Sequence, residues 1–187
     1  MIKIENVKVT GWEAAIRGMR NPTKYRRMIT VYLDITAPLY WWKKFDTYKV
    51  STAMHKIAAK EFTLGDFSCE HLIDDWIEDN VEGILFAEEK DGFEVAWTPL
   101  YILEHTIKAL NVNRQAYLRT HDKKYWWQMI QLLPNSYNQK RAVMVNYKVL
   151  SGIYIYRKNH KLDEWREFCQ WIEQLPYSEI ITCNVRG

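Results

Sequence analysis

The stretch LLPNSYNQKRAVMVNYKVLSGIYIYRKNH, residues 132–160, decides how this chain is read. Pro134 cannot continue a preceding helix, because its ring removes a backbone donor and clashes with the turn before it. Asn135 or Ser136 then offers a side-chain oxygen to cap a new helix, so the pattern predicts one long helix over residues 136–159. At about 100° per residue, Asn146, Leu150, Ile153 and Arg157 fall within roughly a 60° sector of that helix. A polar amide and a guanidinium thus share a stripe with aliphatic residues. Buried polar groups need partners, and a guanidinium suits a two-pronged contact with phosphate. An exposed stripe, or a buried pair of arginine and carboxylate, accounts for the same pattern equally well.

Outward from this stretch the chain reads as mixed α and β structure with helices dominating. Residues 2–9 are β-like, and GWEAAIRGMR at 11–20 reads as a short helix stopped by Asn21-Pro22. In MITVYLDI at 28–35, Ile29, Val31, Leu33 and Ile35 alternate with Thr30, Tyr32 and Asp34, the period of a half-buried strand. Pro38 suits the first turn of a helix over 39–49, and Ser51 or Thr52 caps a further helical turn toward Lys60. An amphipathic helix is expected over 70–81, with Leu72, Ile73, Trp76, Ile77 and Val81 inward. Residues 82–97 read as a hairpin turning at Lys90-Asp91-Gly92. Thr98-Pro99 starts a helix to about Leu110. Helices over about 113–133 and 162–175 and a closing strand over 178–185 complete the expectation. No internal repeat or linker interrupts it, so the sequence reads as one domain over residues 1–187, of α+β class, helix-rich, with a small and mainly antiparallel sheet.

With 187 residues the chain can bury a real core, and 48% hydrophobic against 26% charged residues excludes the disordered and low-complexity classes. Nine tryptophans and twelve tyrosines are a large aromatic area that must enter a core, a site or an interface. The Trp41-Trp42 and Trp126-Trp127 pairs each adjoin two lysines, a combination that suits stacking on the bases of a single-stranded nucleic acid and equally suits core tryptophans under snorkelling lysines. Neither a signal sequence nor a membrane span is legible, and Cys69, Cys169 and Cys183 are an odd set without C-x-x-C spacing, so a cytoplasmic chain with reduced thiols is expected.

The charge is arranged in blocks. Residues 61–104 hold thirteen acidic side chains and one basic, Lys90, a balance of −12, between a first block at +8 and a last at +7. The blocks either neutralise each other within the fold or offer an acidic face to a basic partner. Asp74, Asp75, Glu78, Asp79 and Glu82 would form that face. Glycine-rich phosphate loops and a G-x-S-x-G elbow are missing, and Cys69-Glu70-His71 is too sparse for a zinc site, so no metal is expected.

The region from Pro134 to Arg157 resembles the C-terminal half of the flavin-dependent thymidylate synthases, the ThyX family. There an A-R-x-x-L-P element precedes N-A-R-x-L and a later arginine. Leu133-Pro134, Asn146, Lys148 for the following arginine, Leu150 and Arg157 match this without a gap. ITAPLYWWKKFDTYKV at 35–50 is similar to the strand, A-P turn and helix that carry the family's R-H-R-x7-S signature, and GWEAAIRGMR to its first helix. The YWWK and FDTYK segments resemble phage-associated relatives. The departures are specific: Thr47-Tyr48-Lys49 stands for R-H-R, Ile57 for the serine and Ile130 for the arginine before L-P. Only about eight residues separate the first helix from the strand at Met28, where the family has a further helix and a histidine turn.

The resemblance implies a ThyX-like fold, a homo-oligomer, and a site lined by Asn146, Lys148, Arg157 and Lys49. The family's activity is reductive methylation of dUMP with FAD, NADPH and methylene-tetrahydrofolate. Replacing arginines by Thr, Tyr and Ile removes charge-assisted contacts to phosphate, each about 1.5–3 kcal/mol. The expected reading is therefore a non-catalytic protein with no cofactor and at most a vestigial nucleotide. Its acidic face would engage, and inhibit, a basic nucleic-acid-handling partner, as a phage anti-CRISPR or other anti-defence protein would. The alternatives are a divergent FAD-dependent synthase and a direct binder of single-stranded nucleic acid.

Overall fold

Alternation in the sequence builds the larger of this protein's sheets. The structure, a computed structural model, describes residues 2–11, 13, 15, 24–54, 60–72, 86–90 and 93–183. In chain order these form β1 (Lys3–Thr10), β2 (Thr30–Pro38), α1 (Leu39–Phe45), β3 (Ser51–Met54), β4 (Phe86–Lys90), β5 (Phe93–Trp97), α2 (Pro99–Thr120), α3 (Lys123–Leu132), β6 (Asn138–Asn146), α4 (Tyr147–Arg157), α5 (Asp163–Glu173) and α6 (Glu179–Thr182). Two compact units emerge: Met1–Lys56 with Asn138–Gly187, and Ile57–Tyr137.

The first unit holds a four-stranded antiparallel sheet in the order β1-β2-β6-β3. Ile29, Val31, Leu33 and Ile35 are buried, as their alternation requires. Across the β2–β6 ladder Val31 faces Val145, Leu33 faces Val143, Ile35 faces Arg141 and Ala37 faces Gln139. Residues 138–146 are therefore a strand, not the first half of a helix over 136–159. Gln139, Arg141, Val143 and Val145 are buried while Ala142 and Met144 face outward. Two of the inward positions are polar, which hides the period of two from a reading by hydropathy. Arg141 is accommodated because its Nη1 donates to Asp46 Oδ1 at 2.9 Å, its Nε donates to Gln139 Oε1 at 2.8 Å and its guanidinium lies 4.3 Å from the Trp42 ring centroid.

Helices α1, α4, α5 and α6 cover the sheet's inner face and complete one core. Trp41 and Trp42 are 0% exposed, and Trp41 stacks against Phe45 at 4.8 Å and Trp165 at 4.7 Å. Gly11 lies just after β1 with φ +93°, and a Cβ there would lie 2.0 Å from the Met28 carbonyl oxygen, so only glycine fits. Of the expected helix over 11–20, Gly11 is not helical, Glu13 and Ala15 are, and the rest lies outside the described residues. Ser51 and Thr52 begin edge strand β3 rather than capping a helix, since pairing with β6 satisfies their backbone. The expected closing strand is the single helical turn α6, whose Ile181 enters the core.

The second unit pairs β4 with β5 in the hairpin expected from the sequence, from Phe86 opposite Trp97 to Lys90 opposite Phe93. Thr98 caps α2, accepting from Tyr101 N at 3.1 Å, with Pro99 at the first helical position. The helix does not stop near Leu110 but runs to Thr120, and the expected helix over 113–133 is broken at His121-Asp122. His121 takes a left-handed conformation, φ 55°, and Asp122 caps α3. Phe62, Phe67, Leu103, Ile107, Leu110 and Met129 form this unit's core. Asn111 clamps the Phe62 backbone, accepting from its N–H at 2.9 Å and donating to its carbonyl at 2.8 Å. No helix among the described residues is long and apolar enough to cross a membrane.

Candidate functional site

Helix α4 sorts the residues of the stripe by role. Asn146 is not on the helix but immediately before it, and its Oδ1 accepts from Val149 N at 3.0 Å as the N-cap. Leu150 and Ile153 are fully buried in the core. Arg157 is the last helical residue, so an α-helical rise of about 1.5 Å per residue puts it roughly 16 Å from Asn146. The stripe is therefore a cap, a core contact and a terminal cation, not one pocket. Lys148 is exposed at the Asn146 end.

At the Arg157 end the fold assembles a cluster that sequence spacing did not reveal. Helix α1 continues into a 3₁₀ turn, Asp46–Tyr48, which aims the Tyr48 ring toward α4. Arg157 Nε donates to Tyr48 Oη at 2.9 Å, and the guanidinium carbon lies 5.1 Å from the Trp165 ring centroid and 5.9 Å from that of Tyr48. Among the described residues Arg157 has no carboxylate partner. Its counterparts are a hydroxyl and two aromatic faces, so no carboxylate among the described residues neutralises its charge. Lys49 follows Tyr48, exposed and left-handed at φ 53°. Of the four residues expected to line a ligand, Lys49 and Arg157 adjoin this cluster, while Asn146 and Lys148 belong to the other end of α4.

His160 reports the local potential. Partial burial first, then the charges of Arg157 and Lys44, push its pKa below the usual histidine value. Its Nδ1 accepts from Leu162 N at 3.1 Å, and its ring meets Trp165 edge-on at 6.2 Å. Arg157, with the charge of Lys44 nearby and the neutral His160 ring beside it, thus forms a positive site over an aromatic floor, suited to an anion. Tyr48, Lys44, His160 and Trp165 were not among the site residues expected from sequence. The one available signal was the pairing of FDTYK with a distant arginine, which only the fold brings together.

Thr47 occupies the signature turn with its Oγ1 donating to the Lys44 carbonyl at 2.7 Å, and Tyr48 is held by Arg157. Ile130 lies half-buried on α3. Cys169 offers no nucleophile, since burial pushes its thiol up to about 12. On the sheet's open face a concave surface of about 380 Å³ is lined by residues that include Asn6, Tyr32, Asp34, Thr52 and Met144. Lys140 bridges Glu5 at 3.2 Å and Asp34 at 3.3 Å there, and Lys3 and Lys140 hold the Glu5 carboxyl below the usual range. Ile57, Asp74, Asp75, Glu78, Asp79 and Glu82 lie outside the described residues.

No family model and no curated protein matches the sequence. Solved structures do match. A crystal structure of the flavin-dependent thymidylate synthase ThyX from Helicobacter pylori, complexed with FAD and dUMP, aligns at TM-score 0.54 and 15% identity over 97% of both chains. A second structure of ThyX from that organism, also with FAD and dUMP, gives 0.55 and 14% over 97% of this chain and 99% of that one. The UMP/dUMP methylase PolB from Streptomyces cacaoi, bound with 5-Br UMP, gives 0.53 and 15% over 93% and 88%. The chain therefore shares its fold, an antiparallel sheet covered on one face by helices, with the flavin-dependent thymidylate synthases.

Proposed function

We propose that this protein binds a pyrimidine nucleoside monophosphate on a ThyX-like fold, its phosphate received by Arg157, without catalysing thymidylate synthesis. The observation that carries the reading is the guanidinium of Arg157, uncompensated among the described residues and fixed by Tyr48 and Trp165 beside Lys44 and His160. A rigid guanidinium held against an aromatic face is preorganised for a bidentate phosphate contact. The neighbours in fold are described with dUMP and with 5-Br UMP, which favours a uracil nucleotide as ligand.

Flavin chemistry fits these residues poorly. Where the resemblance calls for two arginines and a histidine, Thr47 bonds the Lys44 carbonyl and Tyr48 holds Arg157, and neither side chain is a cation. One guanidinium and two lysines suit one phosphate rather than the pyrophosphate of a dinucleotide.

Purified protein is expected to be colourless and to form no dTMP from dUMP when supplied with FAD, NADPH and methylene-tetrahydrofolate. It is expected to bind dUMP, and Arg157→Ala should weaken that binding about tenfold to 150-fold, the loss of one or two charge-assisted hydrogen bonds. Bound flavin with turnover would overturn the non-catalytic half of the reading. Unchanged dUMP affinity in Arg157→Ala would overturn the other half.

A second reading rests on charge. The −12 balance over residues 61–104 favours capture of a basic, nucleic-acid-handling protein, by inhibition in the manner of an anti-CRISPR protein. Charge reversal at Asp74, Asp75, Glu78 and Asp79 would abolish such capture while leaving dUMP binding intact.

A further inference from the structure

The two tryptophan pairs, alike in sequence, have opposite fates. Trp41 and Trp42 are sealed in the core of the first unit. In the second unit Trp127 is 47% exposed and Trp126 packs only partly against the core. Their rings meet at 5.0 Å and 69°, so they present two differently directed aromatic faces.

Beside them, where α2 ends and α3 begins, lies a cleft of about 340 Å³ lined by Tyr117, His121, Lys123 and Trp126. The left-handed turn at His121 sets its ring edge-on to Tyr117 at 6.1 Å. Three aromatic rings and an ammonium group therefore surround a space of the size that small ligands occupy. The local charge is complementary to an anion. Residues 105–137 carry Lys108, Arg114, Arg119, Lys123 and Lys124 against the single acid Asp122. That acid is engaged, capping α3 and pairing with Lys124 at 3.1 Å.

From this juxtaposition we infer that the α2–α3 corner is a stacking site for single-stranded nucleic acid. One base enters the cleft against Trp126, the next stacks on the exposed Trp127, and the intervening phosphates meet Lys123 and the basic side chains nearby. Two adjacent, differently directed rings suit successive bases, whereas a free mononucleotide occupies only one of them. Base stacking on aromatic side chains is tolerant of sequence, so little base preference is expected. With about three phosphates neutralised, the salt dependence is shallow, a log–log slope of about −2.

The test uses the full chain and a fluorescently labelled twelve-nucleotide oligodeoxythymidylate, followed by anisotropy at several salt concentrations. Trp127→Ala should weaken binding about fivefold to 150-fold without changing the melting temperature, because Trp127 lies outside the core. Lys123→Glu should weaken binding and flatten the salt slope. Arg157→Ala, which alters the proposed nucleotide site in the other unit, should leave oligonucleotide binding unchanged. The inference is overturned if the oligonucleotide does not bind, if Trp127→Ala and Lys123→Glu bind like the parent, or if dTMP competes as well as an unlabelled oligonucleotide does.

Discussion

The unit built from Met1–Lys56 and Asn138–Gly187 seals Trp41 and Trp42 in its core, whereas Ile57–Tyr137 leaves Trp127 at its surface and Trp126 only partly covered. In the first, three indoles are fully buried with Phe45, Phe168 and Tyr147 among a continuous set of aliphatic residues from sheet and helices. In the second, Phe62, Phe67, Leu103, Ile107, Leu110 and Met129 are the buried cluster among the described residues, and Ile102, Val112, Leu118, Trp127 and Leu132 remain exposed on its helices. Aromatic residues dominate burial energetics wherever a sheet and helices can enclose them. A helical hairpin has less surface to close over them. Composition cannot tell these outcomes apart, because a Trp-Trp-Lys-Lys cluster costs the same to write in either place.

Four single substitutions and one double-mutant cycle would break or sharpen the contrast. The largest effect is expected at Trp41, where replacement by alanine leaves a cavity between Phe45 and Trp165 and should cost about 3–5 kcal/mol in chemical denaturation. Trp127→Ala should stay within about 0.5 kcal/mol of the parent. Equal losses at the two sites would mean that the units do not differ as described. Next, Asp46→Ala leaves the buried guanidinium of Arg141 with only Gln139 and the Trp42 ring, and should cost about 1–3 kcal/mol. A double-mutant cycle with Arg141→Met measures how much of that loss belongs to the pair. A smaller loss, though larger than any at Trp127, falls in the second unit. Thr98→Ala removes the N-cap of α2 and should cost about 1 kcal/mol, read most directly as faster amide exchange in its first turn.

Much of the fold was legible where one physical signal dominated. The alternation of Ile29, Val31, Leu33 and Ile35 fixed β2, and Thr98-Pro99 fixed the start of α2. Strand β6 was not legible, because Gln139 and Arg141 point inward and are satisfied by partners far away in sequence. The break at His121 was hidden for another reason: a left-handed histidine carries no composition signal comparable to glycine. Short β3 is specified by its pairing with β6 more than by its own four residues.

The candidate site was legible in part. Arg157 stood out as a cation on an apolar helix, and Lys49 as a charge retained beside a degenerate signature. Asn146 was correctly singled out as polar but placed on the helix, whereas its side chain serves as the cap. Tyr48 could not be found, since its role exists only once α1 and α4 pack on one sheet.

The claim at the centre of the account is that Arg157 reads a phosphate. Calorimetric titration of the protein with dUMP and with deoxyuridine, which lacks that phosphate, tests it most directly. The account predicts that dUMP binds at least tenfold more tightly than deoxyuridine and that Arg157→Ala erases the difference. Equal affinities for the two ligands in the parent protein, or a difference that survives in Arg157→Ala, would contradict it.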